Sequence, residues 1–194
     1  MVTTVLVCSS DTRKRNKITS LLQQMGLTIV GEASDGPQAL RLTRSARPSI
    51  VVVDVELYQY GELEAALIIA REKLAPVILV TSPHHQDVIN AIEEHYIMSY
   101  VVKPVNRWSI ESSIRTALAN FRKMEQMELE INKLKDTLET RKLVERAKHI
   151  LMRDLKLSEP EAFRRLQKQS MDKGIPMKAL AEAIILNDEL KGPQ

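Results

Sequence analysis

The first hundred residues alternate short apolar runs with segments of helical periodicity. Residues 50–53 are apolar at every position, which is typical of a central strand covered on both faces. Strands separated by helical segments predict a parallel sheet with a flavodoxin-like α/β fold. Five strands are predicted, at residues 5–8, around Ile29, at 50–54, ending at Thr81 and ending at Pro104.

A long helical pattern follows, from about residue 110 to residue 156, and no Gly or Pro interrupts it. Within it, apolar residues recur at alternating spacings of three and four, the pattern of a coiled-coil seam. A stripe on an otherwise polar helix needs a partner, so we expect either a parallel homodimer or packing against the N-terminal domain. The predicted seam consists of Met124, Met127, Ile131, Leu134 and Leu138.

The last third of the chain predicts a small three-helix bundle. The first helix ends near Leu155, and Ser158 with Glu161 then forms a capping-box motif for a second helix. Gly174 suits the end of that helix, and Pro176 opens a third. The expected core-facing residues are Leu143, Ala147, Ile150, Leu151, Ala162, Phe163, Leu166, Met171, Leu180, Ala181, Ile184 and Ile185.

Positive charge is concentrated in this C-terminal part. Residues 139–173 contain ten Lys or Arg against six Asp or Glu, whereas residues 1–107 contain eleven of each. Basic side chains neutralise phosphates by counterion release, which makes nucleic acid a natural partner, but a solvated helix face gives the same pattern. The basic candidates are Arg146, Lys148, Arg153, Arg164, Arg165 and Lys168.

The motif residues of this segment resemble the ANTAR domain of transcription antitermination regulators over roughly residues 140–190. They include AK-x-ILM from Ala147 and LS-x-x-EAF from Leu157. The resemblance implies binding to paired hairpins in a nascent transcript. His149 stands where the family usually has Gly, and it would either contact a base or fill a helix position. The candidate RNA-binding residues are Arg146 and Lys148 as central contacts, with His149, Arg164, Arg165, Lys168 and Lys173 around them.

Polar residues stand at the ends of the predicted strands. Asp54, Thr81 and Lys103 should meet at one edge, because the carboxyl ends of parallel strands lie together. The set resembles the receiver domain of two-component response regulators over residues 1–120. The resemblance implies that Asp54 is the phosphoacceptor and that Thr81, Tyr100 and Lys103 are the switch residues.

The metal-binding positions depart from the receiver pattern. Receivers place two acidic residues after the first strand to hold Mg²⁺, and Ser9 and Ser10 occupy those positions here. Asp11 and Asp54 alone would make a weak magnesium site, because Mg²⁺ depends on carboxylate oxygens. Asp11 also suits the N-cap of the first helix. No cofactor is therefore certain, and Mg²⁺ is expected only if Asp54 is phosphorylated.

Two interpretations of the input follow. In the first, a histidine kinase or a small phosphodonor phosphorylates Asp54. In the second, which we favour, the domain is a pseudo-receiver that senses its signal by docking a partner protein. Tyr58 replaces the usual proline after the phosphoacceptor, and Gly61 arrives one residue early, as in a rebuilt loop. His84 and His85 lack further ligands at metal-binding spacing and fit a solvated loop.

The chain has 194 residues, 44% hydrophobic content and a net charge of +3, which allows one or two domains with a real core. We expect a regulator rather than an enzyme. No nucleophile–base pair, phosphate loop or metal cluster is apparent. No membrane-length apolar run or signal peptide is apparent either, so we expect a cytoplasmic location. The predicted domains are residues 1–120 (receiver-like), 121–139 (linker helix) and 140–190 (ANTAR). A DNA-binding response regulator and a protein-interaction adaptor remain as alternatives.

Overall fold

The computed structural model describes residues 3–55, 60–83 and 97–191. The chain forms two compact units, Met1–Glu125 and Gln126–Gln194, while the predicted three-part division stays a prediction. The described elements are, in order, β1 (Thr4–Cys8), α1 (Thr12–Gln24), β2 (Thr28–Ala33), α2 (Gly36–Ala46), β3 (Ile50–Asp54), α3 (Tyr60–Arg71), β4 (Val77–Thr81), β5 (Ser99–Val102), α4 (Arg107–Leu155), α5 (Glu159–Lys173) and α6 (Met177–Lys191).

The first unit is built on a five-stranded parallel sheet with the order β2-β1-β3-β4-β5. Strands β3 and β4 are buried along their whole length, as the apolar run at residues 50–53 predicts. Alternate side chains of each strand enter two separate cores. Helices α2 and α3 cover one core, and α1 with the start of α4 covers the other. The predicted flavodoxin-like fold is confirmed.

The second unit packs α5 and α6 against the end of α4. Its core contains Val144, Ala147, Ile150, Leu166, Leu180, Ala181 and Ile185. The predicted helix boundaries are confirmed by their caps: the Ser158 amide donates to the Glu161 carboxylate at 2.9 Å, and Gly174 adopts a positive φ of 61° at the end of α5. Among the helices that the structure describes, none is long and apolar enough to cross a membrane.

Two residues that the sequence places in this core lie outside it. Phe163 is 44% exposed and Met171 is 75% exposed. Ala162 and Leu166 face inward on α5, and Phe163 is rotated from Ala162 by one helical step of about 100°. The apolar stripe that buries α5 is therefore narrower than the sequence pattern suggests, and Val144 on α4 supplies a core position that was not predicted.

Candidate functional site

The carboxyl ends of β3, β4 and β5 bring the predicted receiver residues to one edge of the sheet. The Asp54 carboxylate is buried, and its Oδ1 lies 2.5 Å from the Lys103 ammonium. Thr81, at the end of the adjacent strand β4, is also buried and donates to the Ser82 carbonyl at 3.3 Å. Tyr100 on β5 is half exposed. The structure thus joins Asp54 directly to Lys103 and places Thr81 on the neighbouring strand.

Ser9 contacts the same carboxylate from β1. Its buried hydroxyl donates to Asp54 Oδ2 at 3.0 Å, so Lys103 and Ser9 each contact one oxygen of Asp54. The Arg15 guanidinium adds a second cation nearby by donating to the Ser9 carbonyl at 2.6 Å. The Lys103 ammonium offsets part of the negative charge of the Asp54 carboxylate, which weakens its attraction for a divalent cation.

Among the described residues, both acidic candidates for a magnesium site are engaged by other groups. Asp11 is occupied as the N-cap of α1, where its Oδ1 accepts from the amides of Arg13 at 2.8 Å and Lys14 at 3.2 Å. Within residues 3–55, 60–83 and 97–191, no group of three His, Cys, Asp or Glu side chains is arranged to hold a metal ion. Tyr58, His84 and His85 lie outside the described residues.

Cys8 is the last residue of β1, next to Ser9, which contacts Asp54. Its side chain is fully buried in the core between the sheet and helices α2 and α3. Burial, reinforced by the carboxylates of Glu62 and Asp35, raises the pKa of the Cys8 thiol to about 12. The thiol therefore stays protonated at neutral pH, and its role is packing.

Lys148 does not have the exposed position that the sequence predicts for a central RNA contact. It is only 4% exposed, and its ammonium lies 2.7 Å from Glu145 and 2.6 Å from Glu159. Hydrogen bonds to Glu145 and Glu159 raise the pKa of Lys148, and the same bond lowers the pKa of Glu159. The three charges form a bridge that joins α4 to the first residue of α5.

Removing the Lys148 ammonium while keeping its apolar stem tests this bridge. We expect Lys148→Met to lower the thermal midpoint of the chain by a few degrees, because two carboxylates would then face each other unpaired. Lys142→Met, at an exposed position on the same helix, is the matched control and should change little.

The bridge should also depend on pH with a defined sign. The pKa of Glu159 is lowered from 4.5, so its contribution is present above pH 4.5 and is lost as the pH falls through the folded value. The pKa of Lys148 is raised from 10.5, so its contribution is present below pH 10.5 and is lost only at higher pH. The midpoint difference between wild type and Glu159→Gln should therefore vanish in acid; a difference that grows in acid would contradict the bridge.

Two predicted cationic contacts are held by the C-terminal helix. The Arg146 guanidinium donates to Glu189 at 2.8 Å, and Arg153 pairs with both Asp154 and Asp188. Glu189 lies 43 residues after Arg146, and Asp188 lies 35 residues after Arg153. These ion pairs could therefore not be predicted from sequence spacing. Any phosphate that binds Arg146 must compete with a carboxylate of α6.

Other cations of this unit stay accessible. We call Arg164, Arg165 and Lys168 the α5 basic face; all three are exposed, and their spacings of one, three and four place them on adjacent positions of one helix surface. In the described part of the chain, no ion pair joins these residues to a carboxylate. His149 on α4 and Lys173 at the end of α5 are also exposed.

The predicted seam residues on α4 are largely uncovered in the single chain. Met127, Ile131, Leu134 and Leu138 are between 49% and 62% exposed, whereas Met124 is partly buried. Four large apolar side chains spaced three and four apart form an apolar strip that is unusual on a solvated helix. Leu129, which is 71% exposed, lies off this spacing.

A parallel sheet that carries an aspartate and a lysine at its edge, with a separate helical unit after it, is the arrangement of a receiver domain followed by a helical domain. Family models agree: residues 5–115 match the response regulator receiver domain, and residues 132–185 match the ANTAR domain. The chain belongs to the response regulators that carry a C-terminal ANTAR domain, a regulatory and non-enzymatic family.

Individual proteins support this assignment. The chain is 34% identical to the transcriptional regulatory protein PdtaR of Mycobacterium tuberculosis over 93% of this chain and 88% of that protein. Two solved receiver domains share the fold of the first unit. The receiver domain of a modulated diguanylate cyclase from Desulfovibrio desulfuricans G20 has a TM-score of 0.57 at 23% identity, and it covers 63% of this chain and 98% of its own. A CheY-like receiver domain from Methanospirillum hungatei JF-1 has a TM-score of 0.56 at 17% identity, covering 64% and 99%.

Proposed function

We propose that this protein is a signal-responsive transcription antitermination regulator that binds paired hairpins in nascent RNA as a homodimer. The observation that carries the proposal is the α5 basic face, which is exposed and forms no ion pair within the described ranges, on a unit that matches the ANTAR model. Such a face attracts the phosphates of RNA by counterion release, and its Arg side chains can donate two hydrogen bonds to one phosphate. The name of PdtaR, a transcriptional regulator, supports an action on transcription.

The placement of charges divides the predicted contacts into two sets. Arg164, Arg165 and Lys168 can meet a phosphate without breaking an ion pair, and exposed His149 and Lys173 can join them. Arg146 would first have to leave Glu189, and the Lys148 ammonium would have to leave two carboxylates. We therefore propose the α5 basic face as the main phosphate contact and Lys148 as a structural residue.

The exposed seam supports a dimer as the RNA-binding form. Pairing of Ile131, Leu134 and Leu138 with a second copy would remove their exposed apolar surface from water at about 25 cal/mol per Å². A dimer carries two ANTAR domains, so two hairpins of one transcript can be bound together. The second contact is then intramolecular, which strengthens binding by roughly a hundredfold or more.

We propose that the first unit acts as a pseudo-receiver controlled by a sensor protein. Lys103 and Ser9 contact both oxygens of Asp54, and Ser9 and Ser10 occupy the positions of the missing acidic residues. Because both described acidic candidates for Mg²⁺ are engaged by other groups, docking of a protein partner is the input that we favour. A histidine kinase that phosphorylates Asp54 is the alternative.

Placing acidic residues at positions 9 and 10, as receivers have, should enable phosphorylation of Asp54. The wild-type protein is incubated with acetyl phosphate and Mg²⁺ and analysed by intact mass spectrometry. We expect no phosphoryl adduct, because the described residues around Asp54 offer too few carboxylates for the metal. The double variant Ser9→Asp, Ser10→Asp should form the adduct, and adding Asp54→Asn should abolish it. Ready phosphorylation of wild type at Asp54 would refute the pseudo-receiver proposal.

DNA binding is the second candidate, and one observation favours it. Only Gly174, Ile175 and Pro176 connect α5 to α6, a linker as short as that of a helix–turn–helix motif. In such a motif the second helix enters the major groove. Helix α6, however, exposes Glu182, whose charge would repel DNA phosphates, and its Glu189 is paired with Arg146.

Fluorescence anisotropy distinguishes the candidates. The full-length protein is titrated against a two-hairpin RNA from its own upstream leaders and against duplex DNA of equal length and charge, at physiological salt. Selective RNA binding supports the antitermination proposal. A preference for DNA would favour the second candidate, and equal or absent binding would leave a protein-interaction adaptor.

A further inference from the structure

A cavity lies beside the Asp54 edge of the first unit, between α1, the end of β4 and the segment that follows β5. Its volume is about 190 Å³. Ile18 and Leu21 of α1, Val80 of β4 and Val105 line it with apolar surface. A cavity of about 150 Å³ accommodates a benzene ring. This cavity therefore has room for one ring or a short alkyl chain with a small polar group, but not for a nucleotide.

The charged groups around the cavity are mostly cationic. Lys14 and Lys17 contribute to the lining from α1, and Lys103 contributes from the segment after β5. Among the described lining residues, Asp54 is the one carboxylate, and its charge is offset by Lys103 at 2.5 Å. Three ammonium groups against one carboxylate give this described lining a net positive charge, which suits an anion and opposes a metal ion or a cationic ligand.

We propose that this cavity binds a small amphipathic anion, an aromatic or short-chain carboxylate, sulfonate or phosphonate. Its apolar body would pack against Ile18 and Leu21, and its acidic group would face Lys17 and Lys103. A bound anion would compete with Asp54 for the Lys103 ammonium, so occupancy would act on the pair at the centre of the receiver edge. The proposal is independent of RNA binding, because all of its residues belong to the first unit.

Amide NMR spectra of the full-length protein titrated with phenylphosphonate test the proposal. A ligand of this size in a site of this kind should bind with a Kd of about 1 mM. The largest shifts should fall on residues 14–21 and on Val105. Inorganic phosphate lacks the apolar body and benzyl alcohol lacks the charge, so each should bind at least about tenfold more weakly.

Charge and size variants distinguish binding of phenylphosphonate in the cavity from nonspecific attraction of an anion to surface cations. Lys17→Glu should weaken phenylphosphonate about tenfold, whereas Arg13→Glu, the same charge change at an exposed position of α1 outside the cavity, should leave binding unchanged. Val105→Phe should block binding by filling the cavity. Equal affinity for phosphate and phenylphosphonate, equal loss in both charge variants, or shifts centred on the second unit would overturn the proposal.

Discussion

Replacing Leu134 with aspartate is expected to convert the proposed dimer to a monomer and to abolish the proposed tight binding to two-hairpin RNA. Leu134 is 62% exposed in the single chain, so the change should not unfold the protomer. In the dimer, loss of two buried leucines at about 2 kcal/mol each raises the dimer dissociation constant by roughly a thousandfold, before charge repulsion is counted. Light scattering coupled to size-exclusion chromatography gives the mass, and anisotropy gives the RNA affinity.

Leu129→Asp is the matched control for this prediction. Leu129 is 71% exposed on the same helix but lies off the seam spacing, so the identical substitution should leave both the dimer and RNA binding intact. Equal behaviour of the two variants would contradict the seam. A Leu134→Asp monomer that still binds paired hairpins as tightly as wild type would contradict the role of dimerisation in RNA binding.

Neutralising the α5 basic face is expected to reduce RNA affinity by roughly a hundredfold at physiological salt. The triple variant Arg164→Gln, Arg165→Gln, Lys168→Gln removes three phosphate contacts from each ANTAR domain. The slope of log K against log salt should therefore become shallower by about two to three for each hairpin bound. Anisotropy titrations at several salt concentrations measure both values.

The control for this variant carries the same change in net charge on the first unit. Arg13→Gln, Arg41→Gln and Arg71→Gln together remove three exposed cations from α1, α2 and α3. Their loss should change RNA affinity by less than about threefold, because charges beyond a Debye length of about 8 Å from the RNA are screened. Equal losses in both triple variants would show that overall charge, rather than the α5 basic face, governs binding.

The sheet could be predicted because its signals are local. An all-apolar run such as residues 50–53 is compatible with few structures besides a central strand, and parallel strand ends necessarily meet at one edge. That is why Asp54 and Lys103, which lie 49 residues apart, could be placed together from sequence. The helix caps at Ser158 and Gly174 were equally local and equally predictable.

The charge network of the second unit could not be predicted in the same way. Whether Arg146 faces solvent or Glu189 depends on the packing of α4 against α6, which no sequence spacing reports. Lys148 belongs to a motif that suggested contact with RNA. Glu145 stands three residues before it on α4, but Glu159 becomes its second partner only when α5 folds back onto α4. Phe163 was misplaced because a small bundle buries only a narrow stripe of each helix.

The most direct test of the account is single-round transcription in vitro through leader templates from the protein's own operons, each carrying two hairpins before a terminator. If the protein acts by paired-hairpin antitermination, wild-type protein increases read-through on at least one leader. The increase should be lost when either hairpin is deleted from the template. It should also be lost with Leu134→Asp or the α5 triple variant of the protein, but not with Leu129→Asp. Read-through that is independent of the hairpins, or that persists in the α5 triple variant, would contradict antitermination by paired-hairpin binding.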